Sequence, residues 1–183
     1  MTFNFKTASK SELKNEYNRI AKEIGDDQFF TKKELNYLPE ILSDGEQILA
    51  FTSGLMDGNT WLLTLTDRRI IFLDKGIIYG LSQAIIDLDK VNSISFKTGL
   101  FFAEIVVTDG AVQRKIENVW KKTAKAFTNK VQAAIEARKQ TKPNTSGKDL
   151  TTVEQLEKLA NLKEKGIITQ EEFDKQKIIL LAA

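Results

Sequence analysis

Cysteine and histidine are both absent from the 183 residues of this chain. Their absence excludes disulfides, thiolate nucleophiles, imidazole bases and the usual ligands of zinc. The sequence also lacks a G-x-S-x-G motif, a Walker loop and the carboxylate spacing of common metal sites. An enzyme would have to work with carboxylates, Lys, Ser, Thr or Tyr alone. We therefore predict a protein that is not an enzyme and that uses no cofactor and no small-molecule substrate.

Long apolar runs are absent as well. The longest, such as residues 70–73, fall far short of the roughly 20 residues that a membrane-spanning helix needs. The first ten residues lack the apolar stretch and cleavage site of a secretory signal. With 42% hydrophobic and 28% charged residues, the composition is typical of a globular chain. We expect a cytoplasmic protein with one main core and appendages.

The net charge of +2 conceals an uneven distribution of charge. Residues 121–148 contain eight basic side chains and one acidic side chain, and the rest of the chain is mildly acidic. Such a block can attract an anionic membrane, a polyanion or an acidic protein surface. The alternative is that these side chains simply face water on one side of a helix. The candidates for contact with an anionic surface are Lys121, Lys122, Lys125, Lys130, Arg138 and Lys139.

Residues 1–44 are predicted to form two helices. Residues 9–12, Ser-Lys-Ser-Glu, have the capping-box pattern and are followed by apolar residues at helical spacing up to Gly25. Residues 31–34, Thr-Lys-Lys-Glu, repeat the capping-box pattern. Pro39 should distort the second helix or mark its end.

From Glu46 onward the hydrophobic pattern changes to a period of two, which indicates strands. Seven strands are predicted, at residues 47–54, 60–66, 69–74, 77–84, 92–98, 102–108 and 112–119. A helix over residues 121–139 follows, and its apolar stripe should pack on the strands. The stripe consists of Trp120, Ala124, Phe127, Val131, Ala134 and Ile135.

Two pairs of residues in this region allow a functional and a structural interpretation. Arg68 and Arg69 either form an anion site or lie in a solvated hairpin tip, and we favour the tip because surface charge rarely needs a ligand to explain it. Trp61 and Trp120 would suit the stacking of a ligand. At the edges of secondary-structure elements, however, Trp more often closes a core, so we predict core positions for both.

The C-terminal part is predicted to be a flexible linker, residues 140–150, followed by a helical hairpin, residues 151–183. About thirty residues cannot hide two apolar helix faces without a disulfide or a metal. The hairpin either closes on itself or packs on another surface, and its size favours the second. The predicted protein-contact residues are Leu156, Leu159, Leu162, Ile167, Ile168 and Phe173.

The hairpin resembles the short C-terminal domain called SHOCT. From Leu156 it reads Leu-x-x-Leu-x-x-Leu-x-x-x-Gly-Ile-Ile-Thr-x-x-Glu-Phe-x-x-x-Lys. The resemblance implies a module that is attached to unrelated bacterial and phage domains and that is thought to mediate oligomerisation or tethering.

Residues 45–139 resemble bacterial pleckstrin-homology (PH) domains of the YokE-like kind. The resemblance lies in Gly-Glu-Gln-Ile-Leu at 45–49, Leu-Thr-Asp-Arg-Arg-Ile-Ile-Phe-Leu at 65–73 and Ile-Asp-Leu-Asp-Lys-Val at 86–91. It implies an α+β fold, a PH-like seven-stranded antiparallel bent barrel capped by a C-terminal helix, here with N-terminal helices and a C-terminal helical hairpin added.

The first loop of the PH-like region departs from the pattern of eukaryotic relatives, which bind phosphoinositide headgroups in a basic pocket between the first strands. Residues 52–60 contain Asp57 and no basic side chain. A desolvated phosphate needs cations or backbone donors to replace its hydration. We therefore expect no inositol phosphate at this loop.

The sequence patterns allow three functions. The leading hypothesis is a bacterial or phage protein-interaction or oligomerisation module that binds itself or another protein; a role in phage–host interaction is implied by the resemblance alone. The alternative is a peripheral membrane module that binds anionic lipid through residues 121–148. Nucleic-acid binding ranks last, because Phe127 is the only aromatic residue interleaved with the lysines.

Overall fold

A computed structural model describes residues 2–26, 31–76, 80–141, 152–166 and 169–182. The chain divides into two compact units, Met1–Thr141 and Lys142–Ala183. Most of the predicted linker lies outside the described residues. Within the described ranges, no helix has both the length and the apolar character needed to cross a membrane.

The first unit begins with the two predicted helices, α1 (Lys10–Ile24) and α2 (Lys32–Ile41). The capping box of α1 is confirmed: the Glu12 N–H donates to the Ser9 hydroxyl, and the Glu12 carboxylate accepts from the Ser9 N–H. The second capping box is wrong. Glu34 accepts instead from the N–H of Lys75, 41 residues away, so this carboxylate holds α2 to a strand.

All seven predicted strands are present and antiparallel, and their order in the sheet is β4-β3-β2-β1-β7-β6-β5. The fourth strand lies further along the chain than predicted, because its pairing with β3 extends to Asp87. The sheet is not closed, since β4 and β5 are its two edges. The bounds are β1 Ile48–Met56, β2 Asn59–Thr66, β3 Arg69–Lys75, β4 Leu81–Asp87, β5 Val91–Thr98, β6 Phe102–Asp109 and β7 Val112–Trp120.

Helix α3 (Lys121–Thr141) follows the last strand and runs two residues beyond its predicted end. Ala124, Phe127 and Val131 are fully buried in one core cluster with residues from the strands. The predicted PH-like fold class, with seven antiparallel strands, a helix after them and additional helices at both ends, is confirmed, and the strands of the predicted bent barrel form a sheet that is not closed.

A second core covers the other face of β1, β2 and β3. Strand β3 shows the division: Ile70 and Phe72 belong to the core that includes α3, whereas Ile71 and Leu73 belong to the core that includes α1 and α2. Because a strand that is buried on both faces needs apolar residues at successive positions, its sequence is a continuous apolar run. The N-terminal helices contribute Tyr17, Ile20, Ala21, Leu35 and Leu38 to this second core.

The second unit contains α4 (Thr152–Glu164) and α5 (Gln170–Ala182), which contact each other. Gly166 adopts a left-handed conformation (φ 69°) just after α4, as a helix stop requires. Reciprocal hydrogen bonds between Thr169 and Glu172 form a capping box at the start of α5. The predicted helical hairpin is therefore present.

Candidate interaction surfaces

The turn between β1 and β2 is the loop at which the sequence predicts no inositol phosphate. It consists of two residues, Asp57 and Gly58, both with positive φ (52° and 80°), and it joins the paired residues Met56 and Asn59. Two consecutive left-handed residues are typical of the tight turns that suit twisted hairpins. The turn therefore brings one carboxylate and no cation to this end of the sheet.

Arg68 is exposed in the turn between β2 and β3, as the interpretation of a solvated tip predicted, whereas neither interpretation from the sequence holds for Arg69. Its side chain is 17% exposed and forms a salt bridge with Glu46, in which Nη2 lies 2.8 Å from Oε2. The same nitrogen donates to the carbonyl of Ile41 at 2.9 Å. Arg68 donates to the carbonyl of Asp44 at 3.0 Å. Both arginines thus hold the segment between α2 and β1 against the β2–β3 turn.

Glu46 is the centre of this arrangement, and its side chain has no exposed surface. Besides Arg69, it accepts hydrogen bonds from the hydroxyl of Thr66 at 2.7 Å and from the N–H of Ser43 at 2.8 Å. Burial alone would raise the pKa of Glu46, but these hydrogen bonds and the charge of Arg69 outweigh it and lower the pKa below its ordinary value. The carboxylate is satisfied by the protein and has a structural role.

The basic residues of α3 differ in what they contact. Lys130 forms a salt bridge with Glu23 of α1, and Arg138 contacts Asp89 at 3.3 Å and the carbonyl of Asp67 at 3.0 Å. Lys121 donates to the carbonyl of Leu100. Half of the six predicted contact residues therefore bind the protein itself. The other three, Lys122, Lys125 and Lys139, are exposed.

Trp120 is 49% exposed, so the prediction that it closes a core is wrong. The cause is a β-bulge in β7: Ile105 pairs with Ile116 and Ala103 pairs with Val119, so two residues of β7 lie opposite one residue of β6. Asn118 takes a left-handed conformation there, with φ 56°. The bulge reverses the alternation of the strand, and Trp120 points outward where unbroken alternation would turn it inward.

The structure shows an exposed apolar surface that the sequence patterns did not indicate. Leu100 is 80% exposed and Phe101 is 72% exposed, at the turn between β5 and β6. Phe102 is 39% exposed, and its ring centroid lies 4.9 Å from that of Trp120. We call Leu100, Phe101, Phe102 and Trp120 the apolar tip. One signal in the sequence could have indicated this surface. Residues 99–102 read Gly-Leu-Phe-Phe between two predicted strands, where polar turn residues are usual.

A groove of about 320 Å³ lies beside the apolar tip. Phe102 and Trp120 form part of its wall, and it reaches the end of β1, where pairing with β7 is limited to Leu55 and Glu117. The groove is lined by Ser53, Gly54, Leu55, Thr60, Phe102, Asn118 and Trp120.

The helical hairpin exposes apolar side chains of its own. The predicted contact residues Leu156, Leu159 and Phe173 are half-buried within the unit, Leu162 is 38% exposed, and Ile167 and Ile168 lie outside the described residues. The ammonium of Lys163 lies 5.3 Å from the centre of the Phe173 ring, which joins α4 to α5. Among the described side chains of the hairpin, the most exposed apolar residues were not among those predicted: Ile178 (69%), Leu181 (62%) and Ile179 (53%) of α5.

Among the residues that the structure describes, no group of three or more acidic residues is placed to hold a metal ion.

Two family models match the chain. A bacterial PH domain matches residues 42–133, and a short C-terminal domain matches residues 154–181. No curated protein sequence matches the chain.

Solved structures similar to this chain include a pleckstrin homology domain from Shewanella amazonensis SB2B. The identity is 17% and the TM-score 0.43, over 57% of this chain and 97% of that chain. Another is a DUF1696 family protein with a pleckstrin-homology domain from Shewanella loihica PV-4. Here the identity is 18% and the TM-score 0.35, over 66% of this chain and 93% of that chain.

Proposed function

The chain belongs to the bacterial PH domain family and carries a short C-terminal domain, and from this premise we propose that it is a scaffold whose C-terminal hairpin binds a protein. PH and SHOCT domains are generally non-catalytic modules. In the proposal, residues 1–44 and 45–139 form the scaffold, residues 140–150 are the tether, and residues 151–183 bind another copy of the chain or a different protein in the cytoplasm.

The observation that carries this proposal is the apolar surface of α5. Ile178, Ile179 and Leu181 are each more than half exposed. A helix of a folded protein normally keeps such residues on one buried face, since apolar burial provides most of the stability of a helix in a protein. Exposed apolar residues that lie together mark an interaction site in a soluble protein. The proposed contact surface thus joins these three residues to Leu156, Leu159, Leu162, Ile167, Ile168 and Phe173.

Polar substitution of α5 tests this surface. The double variant Ile178→Ser/Leu181→Ser in the full-length chain is expected to lower the molar mass in solution, or to abolish capture of the partner, because each apolar side chain contributes about 1.5–3 kcal/mol when fully buried. Light scattering and pull-down provide the measurements. The unfolding temperature of the first unit should stay unchanged.

Gln176→Ser is the matched control, because Gln176 is an exposed polar residue of the same helix. A chain that ends at Thr141 should behave like the double variant. If both the double variant and the shortened chain keep the wild-type mass and partner, the hairpin does not mediate the interaction. The identity of a captured partner, encoded by the host or by a phage, tests the phage–host part of the proposal.

Attachment to an anionic membrane through residues 121–148 is the second candidate function. It is favoured by the exposure of Lys122 and Lys125 on the first turns of α3, since a cation near a charged bilayer contributes about 1 kcal/mol. Flotation with phosphatidylglycerol-containing vesicles at two salt concentrations tests it. We expect binding at low salt and its loss at high salt; an absence of binding at low salt eliminates this candidate.

A further inference from the structure

We propose that the apolar tip inserts into the interface of an anionic lipid bilayer. The inference rests on the second candidate function and adds to it a hydrophobic contact outside α3. Leu100 and Phe101 are consecutive residues of one turn and are 80% and 72% exposed. Folded proteins normally bury residues of this kind. Because they project from a turn, neighbouring side chains cannot cover them, and the turn presents apolar surface at its outermost point.

The tip is held in place by the protein beneath it. The N–H of Gly99 donates to the carbonyl of Phe102 at 2.8 Å, and the ammonium of Lys121 donates to the carbonyl of Leu100. The rings of Phe102 and Trp120 support the turn from one side. The turn is therefore ordered before it meets a partner. Because of this, it loses less conformational entropy on binding.

The charge around the tip favours an anionic surface. Residues 97–102 and 120–122, which contain the tip and its neighbours in the sequence, include three lysines and no acidic residue. Two carboxylates lie beside it, Glu104 and Glu117, and they share Lys115, at 3.0 and 2.8 Å. This group of three side chains has one net negative charge, so the three lysines still leave the surroundings of the tip positive. Cations that flank inserted apolar side chains suit a bilayer that contains anionic lipid. Trp120 also suits this depth, because its ring is apolar and its N–H is polar.

The size of the tip distinguishes a bilayer from a second copy of the chain. An aromatic side chain offers about 150–250 Å², so the exposed parts of the four tip residues amount to roughly 400 Å². A stable protein interface buries about 800 Å² on each partner. The tip is thus too small for a stable dimer, whereas insertion into a bilayer needs no minimum area and is reversible when few residues insert.

Vesicle binding by the full-length chain tests the inference. The probes are vesicles of phosphatidylcholine alone and of phosphatidylcholine with phosphatidylglycerol. We compare wild type with Leu100→Ser/Phe101→Ser and with Val112→Ser as the matched control, since Val112 is 52% exposed at the β6–β7 turn, at the opposite end of its strand from Trp120. We expect at least a tenfold loss of affinity for the anionic vesicles in the tip variant and none in the control.

A second measurement does not depend on the tip variant. Brominated lipid in the anionic vesicles should quench the fluorescence of wild type and should quench that of Trp120→Phe much less, because the remaining Trp61 is half-buried and donates its N–H to the carbonyl of Met56. Quenching that is equal in the two proteins would contradict insertion.

The outcomes separate this inference from the functions on which it rests. If the tip variant binds like wild type while Lys122→Gln/Lys125→Gln loses binding, attachment is by charge alone and insertion is wrong. If wild type binds neither kind of vesicle, the second candidate function also fails, and the protein-binding proposal for α5 is unaffected. A lower molar mass of the tip variant, with unchanged vesicle binding, would identify a second copy as the occupant.

Discussion

Arg69→Ala is expected to lower the free energy of unfolding of the first unit by about 3–5 kcal/mol, because it leaves the buried carboxylate of Glu46 without its counter-ion. The side chain of Glu46 is fully buried, and two hydrogen bonds from Arg69, at 2.9 and 2.8 Å, would be lost. The link to the carbonyl of Ile41 at the end of α2 would be lost as well. Chemical denaturation of the two proteins measures the difference.

Arg68→Ala is the matched control for this substitution. Arg68 is the preceding residue and also donates to the segment between α2 and β1, but its hydrogen bond to Asp44 is exposed to solvent. Exposed interactions of this kind contribute about 0–1 kcal/mol. Equal losses for Arg68→Ala and Arg69→Ala would show that burial of Glu46 has no special importance.

The effect of Arg69→Ala should depend on pH. In wild type the pKa of Glu46 lies below its ordinary value of 4.5, because hydrogen bonds and the charge of Arg69 outweigh the effect of burial. A lowered pKa in the folded state contributes stability above the unfolded pKa, and this contribution is lost as the pH falls through the folded pKa. Without Arg69, only the hydrogen bonds from Ser43 and Thr66 oppose the effect of burial, so the pKa of Glu46 in the folded state is expected to rise and protonation should cost the variant less than wild type. The difference between the two proteins should therefore be largest near neutral pH and should shrink in acid.

Phe127→Ala is expected to cost about 3–5 kcal/mol as well, by a different mechanism. Phe127 has no exposed surface and lies in the core that α3 shares with the strands. Removal of a buried aromatic ring loses its transfer free energy and leaves a cavity that the surrounding strands fill only in part. Denaturation of Phe127→Ala measures the cost.

Two comparisons make this second prediction specific. Phe127→Leu keeps most of the volume and should cost much less than Phe127→Ala. Phe101→Ala removes the same ring from the apolar tip, where it is 72% exposed, and should change the stability little. A large effect at Phe101 would mean that the tip is part of the folded core, and would weaken its assignment as a contact surface.

The strands and helix α3 could be predicted because their patterns are local. A period of two gave the seven strands, and the apolar stripe of α3 placed Phe127 in the core. Trp120 was assigned to the core from its place at the edge of an element and on the stripe of α3. One extra residue in β7 turns it outward instead, and that bulge depends on the register with β6. A single sequence shows the alternation of a strand but not the register of its partner.

The interactions of Arg69 and Glu34 could not be predicted for a related reason. Their partners, Glu46 and the N–H of Lys75, lie 23 and 41 residues away. Glu46 and Arg69 each belong to one of the sequence segments that resemble the PH family, so the signal was present, but nothing in the spacing shows that the two segments meet. The apolar tip was missed because the alternation of residues within strands does not predict whether apolar residues in the turn between them are exposed.

The second core, between the sheet and the two N-terminal helices, extends beyond the part of the chain that the family model matches. The match to the bacterial PH domain begins at residue 42, after α1 and α2 have ended. Phe51, Leu62 and Ile71 lie within the match, yet they are buried against residues that precede it. The segment that the family model matches is thus shorter than the part of the chain that shares this core. An exchange of this domain between proteins would have to carry both helices with it, or exchange the outward side chains of three strands for polar ones.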